Sequence, residues 1–218
     1  WKFGKKSSWL QKGITLEQLQ SLEKEWIEKA EQNQWIIPKA RFGLFPAQAN
    51  GDEVIFYESE SRDKELGRFD FDLCVGKGRK DKFSIGQYFH SVESGQIDAI
   101  GLQITTAGAG VEEGIKSLKE QNESESSLYL QGLSDRVAED MAEYIHQLLR
   151  TRAGYKKENR GQRYSPGYPA LTNLKGNHII WNALGAEDLG VTLTVANEFF
   201  PPSTTAAVIC FHKDAGYN

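Results

Sequence analysis

The 218-residue sequence predicts an α+β fold: a mixed α/β single domain with a central antiparallel sheet flanked by helices. Three observations lead there. Short runs of β type, separated by turn residues, crowd into 40–73 and recur at 98–105. The long stretches of helical periodicity are at 15–34 and 128–150. Strands and helices do not alternate regularly, as a doubly wound parallel sheet would require.

Taken in order, residues 1–14 show no clear period, although Trp1, Phe3 and Trp9 need something to pack on. Thr15 reads as an N-cap with Gln18 at the reciprocal capping-box position. Leu16, Leu19, Leu22, Trp26, Ile27 and Ala30 follow at helical spacing and predict a helix over about 15–34. Strands at 40–45 and 54–57 flank a connector at 46–52 whose Asn50-Gly51 is a turn signal. In 67–73, alternation puts Phe69, Phe71 and Leu73 on one face. The basic, glycine-rich run at 76–82 lacks phosphate-loop spacing and reads as a solvated loop. A short helix at 84–90 and a buried strand at 98–105 come next. A helix then starts near Val111, with Glu112 and Glu113 in its first turn, where the helix dipole favours them. The polar stretch 120–127 breaks the pattern. From Leu128 to Arg150 the longest periodic stretch carries Leu130, Leu133, Val137, Met141, Tyr144, Ile145, Leu148 and Leu149 on one side. Asp135, Glu139, Asp140, Glu143 and His146 lie off that stripe, and Asp135 and Glu139 share a face. The chain ends with a short helix at 179–184, a strand at 191–195, a break at Pro201-Pro202 and a strand at 206–211.

Composition narrows the function classes. A net charge of −4 with no basic stripe argues against nucleic acid as a partner. Apolar runs are too short for a membrane span, and the start does not read as a signal peptide. Two distant cysteines, Cys74 and Cys210, suit a reducing, cytoplasmic setting and no cysteine-based zinc site. The four histidines occur singly, so no metal site is expected. Neither a nucleophile elbow nor a dinucleotide fingerprint is present.

One stretch stands out, Arg160-Gly161-Gln162-Arg163-Tyr164-Ser165-Pro166-Gly167-Tyr168-Pro169-Ala170. Each proline pushes the residue before it out of the α region. Pro166-Gly167 fits the centre of a type II turn, with Gly167 at positive φ. The expected result is a stiff loop that presents its backbone N–H and C=O groups and carries two arginines and two tyrosines. It reads either as a surface connector or as a cradle for a ligand with a charged end and a flat ring. With a helix carboxylate such as Glu139 nearby, it would suit a zwitterion bearing a heterocycle.

Three segments carry a family resemblance. FGLFPAQANGD (42–52), SDRVAEDMAEYIH (134–146) and RYSPGYPA (163–170) resemble, in order, the "GLYPA…GDD", "DRLAEAxAEYLH" and "RxxPGYPA" segments of the activation domain of cobalamin-dependent methionine synthase. The resemblance covers about residues 40–218, with 1–39 as an N-terminal helical segment of the same domain. It implies a domain that binds S-adenosylmethionine and supplies its methyl group when cob(II)alamin is reductively methylated. The cobalamin belongs to a partner domain, and the electron comes from a flavodoxin-type donor. Carried over by position, Arg163 would hold the methionyl carboxylate, and the backbone from Ser165 through Gly167 to Ala170 would meet adenine and ribose. Tyr168 would line the pocket near the methyl group. Glu139 would lie at the amino end, and Tyr217 near the ligand. Asp135 and Glu112 would face the cobalamin domain. No catalytic residue is implied.

The chain also departs from the family pattern. An upstream aspartate would precede Trp1. The 151–162 segment is short, Asn218 stands where many members have tyrosine, and a C-terminal helical tail is missing. A docking module for a corrinoid protein, without S-adenosylmethionine binding of its own, is the alternative. An independent methyltransferase is a third reading, weakened by the lack of an identifiable base or nucleophile.

Overall fold

The computed structural model describes residues 15–75, 81–155 and 161–216. In order, its elements are α1 (Leu16–Gln32), β1 (Lys39–Asn50), β2 (Glu53–Tyr57), β3 (Glu65–Asp70), β4 (Cys74–Val75), β5 (Lys82–Phe83), β6 (Asp98–Thr106), α2 (Gly110–Glu120), α3 (Ser124–Arg152), β7 (Gln162–Tyr164), α4 (Lys175–Leu184), β8 (Thr192–Leu193), β9 (Phe199–Phe200) and β10 (Thr204–Cys210). A 3-10 turn at Ile85–Tyr88, capped by Ser84, fills the place of the expected short helix. The main sheet has six strands in the order β3-β2-β1-β6-β10-β7, and each neighbouring pair is antiparallel. The α+β expectation holds.

The sheet is buried on both faces, and strand alternation decides which residue goes where. On one face lie Phe56, Phe69, Ile100, Leu102, Ile104, Val208 and Tyr164, packed with Ile180 of α4. Phe56 stacks on Phe69 with ring centroids 5.4 Å apart, Phe69 meets Phe71, and Phe71 meets Tyr164 edge-on at 6.2 Å. Each of these buried rings contributes about 1.5–3 kcal/mol from area alone. The other face holds Phe42, Leu44, Ile209 and Phe211 with Ile145 and Leu149 of α3. Gln103 and Thr105 also point there. The Gln103 amide donates to the Ala142 carbonyl at 3.2 Å, and the Thr105 hydroxyl donates to the Ala138 carbonyl at 3.0 Å.

Those two bonds explain why α3 differs from its predicted stripe. The buried residues of α3 are Ser127, Leu130, Ser134, Ala138, Ala142, Ile145, His146 and Leu149. Small side chains let the helix backbone come within hydrogen-bonding reach of the sheet's polar residues. Tyr144, expected on the apolar stripe, is 63% exposed, whereas His146 is buried. The helix also begins earlier than expected, inside the polar 120–127 stretch.

Two strand expectations need correction. β1 runs unbroken through Pro46 to Asn50 instead of ending in a connector. Pro46 is tolerated because β2 begins to pair only at Ala47 (Ala47↔Phe56). Leu73 is 56% exposed, because β3 ends at Asp70 and alternation no longer applies three residues later. The N-terminal prediction is met: Thr15 and Gln18 form the capping box of α1. Trp26 and Ala30 of that helix pack with Val111, Ile115 and Leu118 of α2 and Leu130 of α3. Leu16 and Ile27, by contrast, stay exposed.

Candidate functional site

β7 is an edge strand of three residues, and its register sets the site. Arg163 lies opposite Ile209, and Tyr164 opposite Val208. Opposed residues share a face. Tyr164 is therefore buried beside Phe71, while Arg163 points to the face covered by α3. There its guanidinium lies 3.6 Å from Glu143 and 3.9 Å from Glu139, with its side chain 22% exposed. The sequence brought Glu139 to this arginine. The nearer carboxylate, Glu143, was not singled out, although its position one helical turn after Glu139 is a readable signal.

After Tyr164 the chain makes the expected type II turn. The Tyr168 amide donates to the Ser165 carbonyl at 3.2 Å, with Gly167 at φ +91°. A second turn follows, in which the Leu171 amide donates to the Tyr168 carbonyl and the Gly167 amide donates to the Leu171 carbonyl, both at 2.8 Å. The loop therefore pairs several of its own amides, contrary to the expectation that it would present them. Among the described residues nothing donates to the carbonyls of Gly167 and Pro169. Pro166 is buried, with its ring over Gly176 of α4. Tyr168 is 62% exposed. Ser165 is half-buried, and Ala170 is fully buried in the core. Tyr217 and Arg160 lie outside the described residues, as does most of the 76–82 loop.

The far end of the loop is pinned by Asp72. Its amide donates to the Ala170 carbonyl at 3.1 Å, and its carboxylate accepts from the Thr172 amide at 2.8 Å and the Thr172 hydroxyl at 2.7 Å. These donors, the hydroxyl first, hold the Asp72 carboxyl below the usual carboxylate range. A carboxyl with a lower pKa folded than unfolded adds stability above its ordinary value of about 4, and that stability is lost as pH falls through the folded value. Asp72→Asn is expected to lower stability modestly at neutral pH and to flatten the acid limb below about pH 4. Urea unfolding across a pH series checks this.

The two acidic positions expected to face a partner lie elsewhere. Glu112 is half-buried in the first turn of α2 and helps line a shallow depression with Ile115, Lys116, Lys119 and Glu120, which includes none of the arginine loop. Asp135 is exposed on α3, but its Oδ1 accepts from Gln131 Nε2 and Ser203 Oγ, both at 2.9 Å. Ser203 and Gln131 were missed in the sequence, because nothing local distinguishes a serine after Pro201-Pro202 from any loop serine.

Among the described residues no group of three or more His, Cys, Asp or Glu is placed to hold a metal, and no helix is long and apolar enough to cross a membrane. Cys74 and Cys210 are free, and burial pushes the Cys210 thiol up to about 12.

Comparisons with known proteins bear on the family and the fold. The family model described as "Vitamin B12 dependent methionine synthase, activation domain" matches residues 8–218. The methionine synthase of Mycobacterium tuberculosis (strain ATCC 25618 / H37Rv) is 24% identical over 205 residues, covering 81% of this chain. The chain spans only 16% of that relative's length. Among solved structures, a crystal structure of the MetH reactivation domain bound to AdoHcy superposes with a TM-score of 0.82 at 22% identity, over 99% of this chain and 72% of that one.

Proposed function

The chain belongs to the family of vitamin B12 dependent methionine synthase activation domains, and from that premise we propose that it binds S-adenosylmethionine and presents its methyl group for reductive methylation of cob(II)alamin held by a partner domain. The observation that carries this reading is Arg163, aimed from the edge strand β7 toward Glu139 and Glu143. The donor set fits the ligand. An arginine fork takes the α-carboxylate, and a helix carboxylate takes the ammonium. The Gly167 and Pro169 carbonyls suit donors such as the adenine amino group or ribose hydroxyls. Tyr168 offers an exposed ring beside them. S-adenosylmethionine supplies an electrophilic methyl group. The chain's own residues bind and orient that donor, and none is assigned a proton to move.

The partners follow from the family. A cobalamin-binding domain would meet the face bearing Asp135 and Glu112, and a flavodoxin-type protein would supply the electron. The setting proposed is the cytoplasm. That a related reactivation domain is found with AdoHcy bound supports the ligand assignment. Isothermal calorimetry of the chain with S-adenosylmethionine is the test. Saturable one-site binding is expected, and the absence of binding at millimolar ligand would overturn the reading.

A further inference from the structure

We propose that Ser203 is a positioning residue for docking: its side chain fixes the carboxylate of Asp135, and its backbone fixes the corner leading to Glu112. The inference rests on the reading above, that these two acids face a cobalamin-binding domain.

Ser203 is buried, at 3% exposure, immediately before β10. Its hydroxyl has four close relations: Asp135 Oδ1 at 2.9 Å, Ser134 Oγ at 2.8 Å, Gln131 Nε2 at 3.3 Å and its own bond to Cβ. A serine hydroxyl has one proton and two lone pairs. An ionised Asp135 can only accept, so it takes the Ser203 proton, in a charge-assisted bond stronger than a neutral one. Gln131 then donates to one Ser203 lone pair, and Ser134 Oγ lies against the other. The Gln131 amide has two protons, so it can serve Asp135 and Ser203 together. The hydroxyl has a polar partner on every side, and such a network is mutually reinforcing. Ser134 has a competing acceptor in the Gln131 carbonyl at 2.7 Å. The single Ser134 proton is shared between that carbonyl and Ser203 Oγ.

The carbonyl of Ser203 does the second job. It accepts from the Ala107 amide at 2.9 Å and the Thr106 hydroxyl at 3.4 Å. Thr106 ends β6 and Ala107 is three residues before the start of α2, the helix that carries Glu112 in its first turn. One residue therefore bonds Asp135 on α3 and the end of β6 that leads into α2. Without it, Asp135 would keep only the Gln131 bond, and the cost of ordering its carboxylate would weaken docking.

The test measures the affinity of the full chain for a cob(II)alamin-loaded cobalamin-binding fragment of methionine synthase, in a double-mutant cycle. Ser203→Ala is expected to weaken docking roughly three- to tenfold in the wild-type background, and less than twofold in an Asp135→Asn background. S-adenosylmethionine affinity should stay constant throughout. Gln131→Ala, at a half-buried site, provides a second route to the same carboxylate should Ser203→Ala fold poorly, with the same loss of effect when Asp135 is asparagine. Additive effects of the paired substitutions would overturn the inference. If wild-type chain that binds S-adenosylmethionine does not dock, the docking premise fails and the inference with it, while the ligand assignment stands.

Discussion

Arg163→Ala is expected to lower affinity for S-adenosylmethionine by about 10- to 150-fold, the equivalent of the roughly 1.5–3 kcal/mol that a hydrogen bond to a charged group contributes. The effect should be large because the arginine is placed before the ligand arrives. β7 is locked to β10 by its register, and the neighbouring Tyr164 is anchored in the core, so the guanidinium needs little further ordering. Stability should change much less. The contacts to Glu139 and Glu143 are long, at 3.9 and 3.6 Å, and both carboxylates are partly solvated. Arg163→Lys separates charge from geometry: an ammonium keeps the charge but loses the fork, so it should recover only part of the affinity. Calorimetry alongside urea unfolding tests both statements. Unchanged affinity in the alanine variant would remove Arg163 from the site.

Much of the fold was legible because it is encoded locally. The capping box of α1 and the type II turn at Pro166-Gly167 each depend on a few adjacent residues, and both form as read. The buried strand at 98–105 and the apolar strand at 206–211 were readable for the same reason. What escaped depends on partners distant in sequence. The buried face of α3 is built from Ser134, Ala138 and Ala142, because Gln103 and Thr105 reach its carbonyls, and periodicity of large apolar residues cannot reveal that. Pro46 sits inside a strand because of where the neighbouring strand begins to pair. The loop's use of its own amides follows from two consecutive turns, of which only the first had a glycine to announce it. Within the site, the arginine and one acid were legible by motif. Glu143 had only its place one turn after Glu139 to mark it, and Asp72 and Ser203 gain their roles from tertiary contacts alone.

Gly161→Ala is expected to destabilise the chain by roughly 2–4 kcal/mol and to weaken S-adenosylmethionine binding with it. Gly161 sits at φ +68°, in the left-handed region, where a Cβ alone costs about 1–2 kcal/mol. A Cβ there would also collide with the Cys210 carbonyl oxygen and come within 2.9 Å of Phe211 Cα. Both obstacles are backbone, and Cys210 belongs to β10, the strand that carries the register of β7. Relieving the collision moves the entry of β7 away from β10, which shifts Arg163 two residues later. At Gly167, φ +91°, the comparable obstacle is the far end of the Leu174 side chain, which can rotate aside. Gly167→Ala should therefore cost less, even though Gly167 is the glycine that the turn motif announces. Unfolding of both variants in urea, with calorimetry of each, gives the comparison. A cost for Gly161→Ala below about 0.5 kcal/mol with normal binding would show that the β7 edge adapts freely, and that the position of Arg163 is set from the Pro166-Gly167 side instead.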